Sequence, residues 1–530
     1  MTPLSGSIDN IIRTPDLDYT PDPKGLGYVL HQRMKSFGDK IAQIDGITGK
    51  KDTYDFLLQR CIRMAIKMRS LGVTHEDIIC TCCLNHFDSC VPYIAALFLG
   101  TKVCALDPSL GEQDIVHLLQ QVTPKIIFVD SDAEELIHKT INKIQKDVKV
   151  IVVLNVLQPN AEEHCFQPYE TNDVFDTAII FFSSGTTGLP KGICIHHYGM
   201  LSQIHNYFNS GCCSDAYLTF TSLYWVTSAF VVLATILRGN ARILIPKFNP
   251  ELVWNAITKF KPTSLNLVPF HCVIMCRNKP KNADTSSVTH LGVGGSVLVQ
   301  SQMLDIQEAF PTSQLFPAYG QTEMSFAVTF FNVNSERDRE FIKSKPTSSG
   351  TVVPGIWYKV VDVDTEEILG PNEPGELRVK TKFCMKGYYN MDSSCAFDSD
   401  GWLKTGDLVY YDEDKCFYVL DRLKDFFKFQ SWHVPPAFVE NILMQHPEIA
   451  TALVIGLPND VDGNHLMALV VLKNAKSKVT PKEIEEFVEK RVDDRKRLRG
   501  GVRIVAHIPL SATGKAKRRE IRDSVLRGEL

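Results

Sequence analysis

Residues 181–197 read FFSSGTTGLPKGICIHH. The apolar run from Ala178 to Phe182 predicts a buried strand that empties into this loop. Glycines at 185, 188 and 192 let backbone N–H groups turn toward an anion, and Lys191 adds a positive charge. The loop therefore predicts a phosphate-binding site. Its spacing is not G-x-x-x-x-G-K-[ST], which excludes a P-loop NTPase, and G-x-G-x-x-G is also absent.

The candidate phosphate-binding residues of this loop are Ser183, Ser184, Gly185, Thr186, Thr187, Gly188 and Lys191. A flexible surface connection is the alternative for a cluster of this composition. The order SSGTTGLPKG, followed by two histidines, resembles the signature of the adenylate-forming superfamily, which includes acyl-CoA synthetases, nonribosomal peptide adenylation domains and firefly luciferase. The resemblance implies that the phosphates belong to ATP, that Thr186 contributes to the metal site and that His197 has a catalytic role.

Length and composition favour a large folded enzyme. The 530 residues are too many for one core and predict two or more domains. Hydrophobic residues make up 44% and charged residues 22%, so long disorder is not expected. A net charge of −4 gives no basic footprint for nucleic acid, and the basic run 495–499 is expected to be a solvated helix face.

Cysteine usage and the chain ends indicate a cytoplasmic setting. The fifteen cysteines are scattered, and the N-terminus has no secretory signal. Cys80 and Cys83 have C-x-x-C spacing, but their apolar surroundings predict a buried strand rather than a zinc or redox site. No apolar run reaches the about 20 residues of a membrane helix. The C-terminus, Arg-Gly-Glu-Leu, is neither S-K-L nor K-D-E-L, so peroxisomal import through it is not expected.

The order of the predicted elements indicates the architecture. Helical patterns alternate with apolar strands over residues 61–153, which predicts a parallel sheet covered by helices. A second alternating set has strands at 263–269, 290–295 and 314–319, each ending at a loop, and ligands bind beyond such carboxyl ends. We therefore expect an α/β protein: an N-terminal domain, 1–421, of two helix-covered α/β subdomains and a small β subdomain, and a mobile α+β C-terminal domain, 422–530.

The stretch YGQTE, residues 319–323, predicts contacts to a nucleotide. An aromatic face can stack on a purine, Gly320 allows close approach, and Thr322 and Glu323 offer the hard oxygen ligands that Mg²⁺ prefers. The stretch resembles the adenine and magnesium motif of the superfamily. The resemblance implies nucleotide contacts by Tyr319, Gly320, Gln321 and Thr322, a metal contact by Glu323, and a preceding loop at Gly294, Gly295 and Ser296.

Two further motifs carry charged residues. Asp407 of TGD could accept both ribose hydroxyls and Arg422 of DRLKD could add a donor, although surface ion pairs are the alternative. Their order and spacing match the ribose site of the family, which places Lys424 at the interdomain hinge. In SATGKAKRREIRD the alternative is a solvated basic tail. The resemblance implies that Lys515 is the catalytic lysine, stabilising the pentacoordinate α-phosphate, and that Lys428 acts in a second half-reaction.

The resemblance covers essentially the whole chain and is closest to the firefly luciferase and plant coumarate-CoA ligase branch. It implies that a carboxylic acid and ATP·Mg²⁺ give acyl-AMP and pyrophosphate. At the second step, Ser431 replaces a glycine that the branch places against the pantetheine arm of CoA. Where beetle luciferases have a His-His-Gly-Phe-Gly-like run, this chain has residues 224–228, YWVTS. Tyr224, Trp225 and Thr227 are expected to shape a pocket for a flat aromatic acid, the alternative being that the bulky pair packs in the core.

Two second half-reactions stay open. The favoured expectation is an ATP-dependent luciferase, a monooxygenase that consumes O₂ and uses a non-beetle luciferin, as in a luminous fungus gnat. The alternative is an acyl-CoA ligase of the coumarate or fatty-acid type that consumes CoA, and a non-catalytic nucleotide-binding relative is a third. We expect a small-molecule acid as partner, no nucleic acid, no membrane span, and a monomer.

Overall fold

A computed structural model describes residues 10–153, 159, 161–183, 190–212, 214–296, 300–423, 427–429, 432–434, 436–474, 476–509, 516 and 518–530, without the side chains of 183, 301, 428, 432, 433 and 519. The α-helices of these residues are α1 Gly25–Phe37, α2 Tyr54–Ser70, α3 Val91–Phe98, α4 Glu112–Gln121, α5 Ser131–Ile144, α6 His197–Asn209, α7 Val226–Arg238, α8 Pro250–Phe260, α9 Pro269–Arg277, α10 Gln300–Ala309, α11 Glu336–Ser344, α12 Pro436–Leu443, α13 Pro481–Glu489 and α14 Arg518–Leu526.

Four β-sheets hold the strands of the described residues. In chain order the strands are β1 Ile41–Asp45, β2 Lys51–Thr53, β3 Ile78–Cys82, β4 Lys102–Leu106, β5 Ile126–Val129, β6 Lys149–Val152, β7 Thr177–Ser183, β8 Lys191–His196, β9 Ala216–Thr219, β10 Ala241–Leu244, β11 Ser264–Leu267, β12 His290–Gly294, β13 Gln314–Gln321, β14 Phe326–Phe330, β15 Thr351–Val352, β16 Ile356–Val361, β17 Gly375–Thr381, β18 Gly387–Tyr388, β19 Leu403–Tyr411, β20 Phe417–Arg422, β21 Phe427–Phe429, β22 Trp432–Val434, β23 Ile449–Asn459, β24 Gly463–Leu472 and β25 Gly501–Ile504.

The first large sheet has seven strands in the order β18-β8-β7-β4-β3-β5-β6. Strands β3 to β7 pair in parallel, as the alternating pattern predicts, and β8 returns antiparallel to β7. Every residue of β3 is buried, because helices cover both faces of a parallel sheet. The prediction of a buried strand around Cys80 is confirmed. The glycine-rich loop connects β7 to β8, since it lies between Ser183 and Lys191.

The second large sheet has nine strands in the order β15-β14-β13-β12-β11-β9-β10-β1-β2. Strands β11, β12 and β13 are parallel, so their carboxyl ends meet at one edge, as predicted. One expected loop is wrong. After β11 the chain enters α9 directly at Pro269, because proline at the first helical position has a pre-set φ and lacks only an N–H that would have no partner.

A four-stranded antiparallel sheet, β16-β17-β19-β20, forms the predicted small β subdomain. Its last two strands, β19 and β20, form a hairpin. Asp412 shapes the turn, since its Oδ1 accepts the backbone N–H groups of Asp414 and Cys416. In this hairpin Asp407 on β19 lies opposite Arg422 on β20.

The C-terminal part is a smaller α+β unit whose sheet has the order β22-β21-β24-β23, with β25 parallel to β24. The predicted architecture of a large N-terminal and a small C-terminal domain is confirmed, while the boundary at 421/422 stays a prediction. Near that boundary, Asp421 Oδ2 accepts the N–H of Ala437 in the first turn of α12 at 2.9 Å. A carboxylate at the end of β20 therefore satisfies one N-terminal donor of α12.

The basic run 495–499 is not a helix face, contrary to expectation. Only a short 3-10 turn, Asp494–Lys496, forms there, and Asp493 caps it by accepting the N–H of Arg495. Gly500 and Gly501 follow, and Gly501 has a φ of +86°, which ends any helical continuation. No helix among the described residues has the length and apolar character needed to cross a membrane.

Helix α1 packs very closely against α3. A Cβ added at Gly27 would lie 1.9 Å from the carbonyl oxygen of Leu97. Leu26, Leu30 and Met34 on the same helix are fully buried. The absence of a side chain at residue 27 therefore sets the distance between the two helices.

Candidate active site

Four residues predicted to bind a nucleotide form one hydrogen-bonded cluster. Tyr319 OH donates to Asp407 Oδ2 at 2.6 Å, Gln321 Nε2 donates to Tyr319 OH at 3.3 Å, and Arg422 Nε lies 3.4 Å from Asp407 Oδ1. Strands β13, β19 and β20 supply these side chains, so the cluster joins the carboxyl edge of the nine-stranded sheet to the small β sheet. Stretches separated by 88 residues in the chain are thereby brought into contact.

Burial keeps the Tyr319 phenol of this cluster protonated. Asp407 is 5% exposed and Tyr319 is 9% exposed. Burial and the neighbouring Asp407 charge raise the pKa of Tyr319 well above its usual value, so the phenol stays a hydrogen-bond donor. The Arg422 side chain is 42% exposed. A carboxylate is an acceptor with up to about four lone-pair sites, which suits hydroxyl donors. This donor and acceptor set fits the hydroxyls of a ribose.

The predicted loop after β12 lies beside the cluster. A Cβ at Gly294 would lie 2.7 Å from the carbonyl oxygen of Ala318 on β13, and Gly295 has a φ of +90°. Glycine is therefore required at both positions by the backbone. Gly295 and Ser296 are exposed at the strand end, so their polar groups are accessible to a ligand.

Gly320 lies very close to a neighbouring strand, and its nucleotide contact stays a prediction. A Cβ there would lie 2.2 Å from the carbonyl oxygen of Phe326. The group that approaches Gly320 closely is thus strand β14. Thr322 and Glu323 follow in a short 3-10 turn, Thr322–Met324, and are partly buried.

Lys191 packs against the ring of Tyr388, and the Glu323 charge acts on the same tyrosine. Lys191 Nζ lies 4.6 Å from the ring centroid, and the lysine is 6% exposed. Burial and the Glu323 charge raise the pKa of Tyr388. The lysine predicted to bind phosphate therefore packs on the ring of Tyr388, and the carboxylate predicted to bind metal is near enough for its charge to act on that ring's hydroxyl. A carboxylate is a hard oxygen ligand of the kind that Mg²⁺ prefers.

The histidine pair has structural contacts. His196 Nδ1 accepts the N–H of Gly199 at 2.7 Å and caps α6, while His197 Nδ1 accepts the N–H of Leu26 at 3.0 Å in α1. Both rings are buried, and burial lowers the pKa of each to about 4. The contact of His197 holds α1 in place, and a catalytic role for it stays a prediction.

The predicted substrate residues separate into two places. Tyr224 is buried in the core, where its ring stacks on Phe182 at 6.3 Å and meets Trp225 edge-on at 4.7 Å. Burial raises the pKa of Tyr224 to about 12. The alternative of core packing thus describes this pair, and a substrate contact by it stays a prediction.

Thr227, in contrast, lines a cavity of about 20 Å³ at the ends of β9 and β11 and the start of α7. Ser228, Val231 and Asn266 also line it. Asn266 was not among the predicted site residues, although it lines this cavity. An asparagine within the apolar strand SLNL is a signal by which the sequence could have indicated it as a lining residue.

Part of the predicted site lies outside the described residues. The side chains of Ser183 and Lys428 are among these, with only their backbones placed in β7 and β21. The remaining residues outside the description are Ser184, Gly185, Thr186, Thr187, Gly188, Lys424, Ser431 and Lys515. Their roles stay predictions.

One cluster away from this site has metal-ligand chemistry. Ligand atoms of Cys83, His86 and Asp130 lie within 4.8 Å of one another. His86 Nδ1 accepts the N–H of Asp88 at 3.2 Å, which leaves the ring proton on Nε2, where it points to Asp130 Oδ1 at 2.8 Å. That tautomer has no free nitrogen lone pair for a cation.

Two protein-family models match this chain, one in its larger N-terminal part and one in its smaller C-terminal part. The model of the AMP-binding enzyme family matches residues 30–389, and that of the AMP-binding enzyme C-terminal domain matches residues 439–515. Luciferin 4-monooxygenase of Nipponoluciola cruciata is 31% identical over 97% of both chains. 4-Coumarate–CoA ligase 3 of Arabidopsis thaliana is 31% identical over 96% of this chain and 93% of its own. The solved luciferase-like enzyme of the nonluminescent Zophobas morio mealworm is 37% identical, covers 79% of this chain and all of its own, and has a TM-score of 0.74.

Proposed function

The chain belongs to the AMP-binding enzyme family, and we propose that this adenylate-forming enzyme activates an aromatic carboxylic acid with ATP and then oxygenates the adenylate with emission of light. The observation that carries the first step is the convergence of Tyr319, Asp407 and Arg422 at the carboxyl edge of the nine-stranded sheet. The similarity to a luciferin 4-monooxygenase over nearly the whole chain supports the second step.

In the first half-reaction a carboxylate oxygen of the acid attacks the α-phosphorus of ATP, and the bond to pyrophosphate breaks. Asp407 accepts the ribose hydroxyls and Arg422 adds a donor beside them. Lys191 and the glycine-rich loop hold the phosphates. Glu323 and Thr186 would hold Mg²⁺, which would neutralise charge on the phosphate oxygens when bound. Lys515 stabilises the negative charge that builds up at the α-phosphate.

In the second half-reaction the carbon next to the adenylate carbonyl loses a proton and reacts with O₂. AMP and CO₂ leave, and the oxidised product emits light. Ser431, in place of the glycine next to the CoA arm, supports oxygenation over transfer to CoA. The absence of a beetle-type histidine run at 224–228 supports a luciferin other than that of beetles.

Transfer of the adenylate to CoA is the second candidate. Two similarities favour it: a 4-coumarate–CoA ligase that is 31% identical, and a luciferase-like enzyme of a nonluminescent mealworm that is 37% identical. In this reaction the CoA thiolate attacks the acyl carbonyl and AMP leaves. Lys428 on β21 would then act in the step that forms the thioester.

The deciding experiment analyses products by mass spectrometry while photons are counted. Aromatic and fatty acids are incubated with ATP, Mg²⁺, CoA and air. Light together with oxidised, decarboxylated product supports oxygenation. Acyl-CoA without light would establish the ligase, and a long-chain fatty acid as best substrate would contradict the preference for aromatic acids.

A lysine pair in the C-terminal tail tests the adenylation step. Lys515→Ala should abolish acid-dependent ATP–pyrophosphate exchange and leave ATP binding intact. Lys517→Ala removes an equal charge two residues away and should leave the exchange near the wild-type rate. Equal exchange in wild type and Lys515→Ala would refute the assigned role.

A further inference from the structure

We propose that Glu376 is a positioning residue for the adenylation step, and that its buried carboxylate holds a bulge of β19 that directs Asp407 toward the ribose. The inference rests on the proposed function, because it adds a residue to the nucleotide site on which that function depends. Glu376 lies on β17, whereas the nucleotide cluster is built from β13, β19 and β20. Its effect on the ribose site is therefore indirect.

Strand β19 is irregular where it carries Asp407. Between two regularly paired positions, a single residue of β17, Leu377, faces residues 405–407 of β19. Such an excess of residues on one strand is a β-bulge, which bends the strand and re-aims its side chains. Gly406, in the middle of the bulge, has a φ of +68°, a conformation that favours glycine. The direction of the Asp407 carboxylate therefore depends on the contacts that hold these three residues.

Hydrogen bonds hold the bulge, and Glu376 accepts one of them. Thr405 Oγ1 donates to the carbonyl of Leu377 at 2.6 Å and accepts the N–H of Asp407 at 3.2 Å. The N–H of Gly406 donates to Glu376 Oε1 at 3.2 Å. A bulge leaves backbone groups without their ladder partners, and here the carboxylate takes the place of the missing acceptor. Glu376 thus acts on the residue directly before Asp407.

A buried arginine holds the other oxygen of Glu376. Arg378 Nε donates to Glu376 Oε2 at 2.8 Å, and the two residues are 4% and 7% exposed. The Nη1 and Nη2 atoms of Arg378 donate to Glu366 at 2.6 and 2.8 Å, and Nη1 lies 3.5 Å from Asp398 Oδ2. The planar fork of a guanidinium fixes the carboxylates around it. The Glu376 carboxylate is therefore held between a cation and the N–H of Gly406.

The two glutamates that pair with Arg378 differ in one contact. Glu366 binds the guanidinium from the surface, where its side chain is 59% exposed. Glu376 binds the same cation from the interior and also accepts from Gly406. If the arginine and its partners only stabilise the fold, neither glutamate affects recognition of the ribose. A positioning role instead predicts an effect on the ribose for Glu376 alone.

The test replaces each glutamate with glutamine. Glu376→Gln keeps the size of the side chain, but its single amide oxygen cannot accept from both Arg378 and Gly406. The bond to the cation is the stronger of the two, so the contact with Gly406 is lost. Titration calorimetry with ATP and 2′-deoxy-ATP measures the preference for the ribose. The wild type should bind ATP about 10-fold more tightly than 2′-deoxy-ATP, and Glu376→Gln should bind the two within about 3-fold of each other.

Glu366→Gln is the matched control and should keep the wild-type preference. Thr405→Val is a second variant: it removes the other hydrogen bonds of the bulge without changing a charge, and it should reduce the preference as Glu376→Gln does. In an Asp407→Asn background, Glu376→Gln should cause no further loss of ATP affinity, because both changes act on the same contact.

Three outcomes would overturn the inference. The first is a preference that both Glu376→Gln and Thr405→Val retain, and the second is an equal loss in Glu366→Gln. Either one would leave the proposed function intact. The third is a wild type that binds ATP and 2′-deoxy-ATP equally, which would refute the ribose site of the proposed function and the inference with it.

Discussion

Replacing Asp407 with asparagine tests the proposed ribose site most directly, since the change removes a charge and keeps the size of the side chain. The ion pair with the half-exposed Arg422 contributes under about 1 kcal/mol. The 2.6 Å hydrogen bond from Tyr319 falls from a charge-assisted bond of about 1.5–3 kcal/mol to a neutral one of about 0.5–1.5 kcal/mol. We expect the free energy of unfolding to fall by about 1–2 kcal/mol, which leaves the protein folded.

The expected loss in ATP affinity is larger. In the proposed site both ribose hydroxyls donate to the buried Asp407 carboxylate, whereas asparagine offers a single neutral acceptor oxygen. The difference is about 2–4 kcal/mol, which raises the ATP dissociation constant by roughly 30- to 1,000-fold.

The assay is titration calorimetry with ATP and 2′-deoxy-ATP on both proteins, which forms a double-mutant cycle. Removing the 2′-hydroxyl should weaken binding to the wild type by about 10-fold and should barely affect binding to Asp407→Asn. An equal loss in both proteins would refute a contact between Asp407 and that hydroxyl. Asp338→Asn is the control: this buried carboxylate accepts from Thr351 at 2.9 Å, so its loss should lower stability without changing ATP affinity.

Three further changes have expected outcomes. Tyr319→Phe should lower the free energy of unfolding by about 1–3 kcal/mol, because the hydrogen bond to Asp407 is lost. The variant keeps the aromatic face, so its ATP affinity in calorimetry should stay within about 10-fold of the wild type. A greater loss of ATP affinity would show a direct contact between ATP and the Tyr319 hydroxyl. Gly27→Ala should lower the free energy of unfolding in urea by about 3 kcal/mol because of the close α1–α3 contact. The control, Gly72→Ala, should lower it by about 1 kcal/mol, because φ there is +77° and the added Cβ meets nothing within 4 Å. Equal losses in the two variants would contradict this reasoning. Burial raises the pKa of Asp421 to about 7, so the folded state binds its proton more tightly than the unfolded state, and stability falls as pH rises from about 4 to 7. Between pH 5 and pH 8 the free energy of unfolding of the wild type should therefore fall by roughly 2–4 kcal/mol more than that of Asp421→Asn. A difference between the two proteins that does not change with pH in urea unfolding would contradict the assignment.

The sequence predicted those features that depend on short stretches. The alternation around Cys80 and the motif around Tyr319 each determine a strand or a strand end locally, and the structure has them there. Parallel pairing then brings the strand ends together without further information. The architecture and the position of Tyr319 at the sheet edge could be predicted for this reason.

Contacts between distant stretches could not be predicted. The bond from Tyr319 to Asp407 joins two sheets, and His197 meets Leu26 across 171 residues. Whether Tyr224 faces a pocket or the core depends on how α7 and the turn before it pack, and no local pattern fixes that orientation. A Cβ at Gly292 would lie 2.2 Å from Asn266 Oδ1 on the neighbouring strand. The sequence of one strand does not reveal which side chain lies opposite its glycine, so this contact could not be predicted.

The two halves of the proposed site are built from different strands. Strands β13, β19 and β20 carry the nucleotide cluster, whereas β9, β11 and α7 line the small cavity. Because the two sets share no side chain, free-energy changes in one should add to those in the other. A replacement that reshapes the small cavity, for example at position 266, is therefore expected to leave the hydrogen bonds of the nucleotide cluster unchanged.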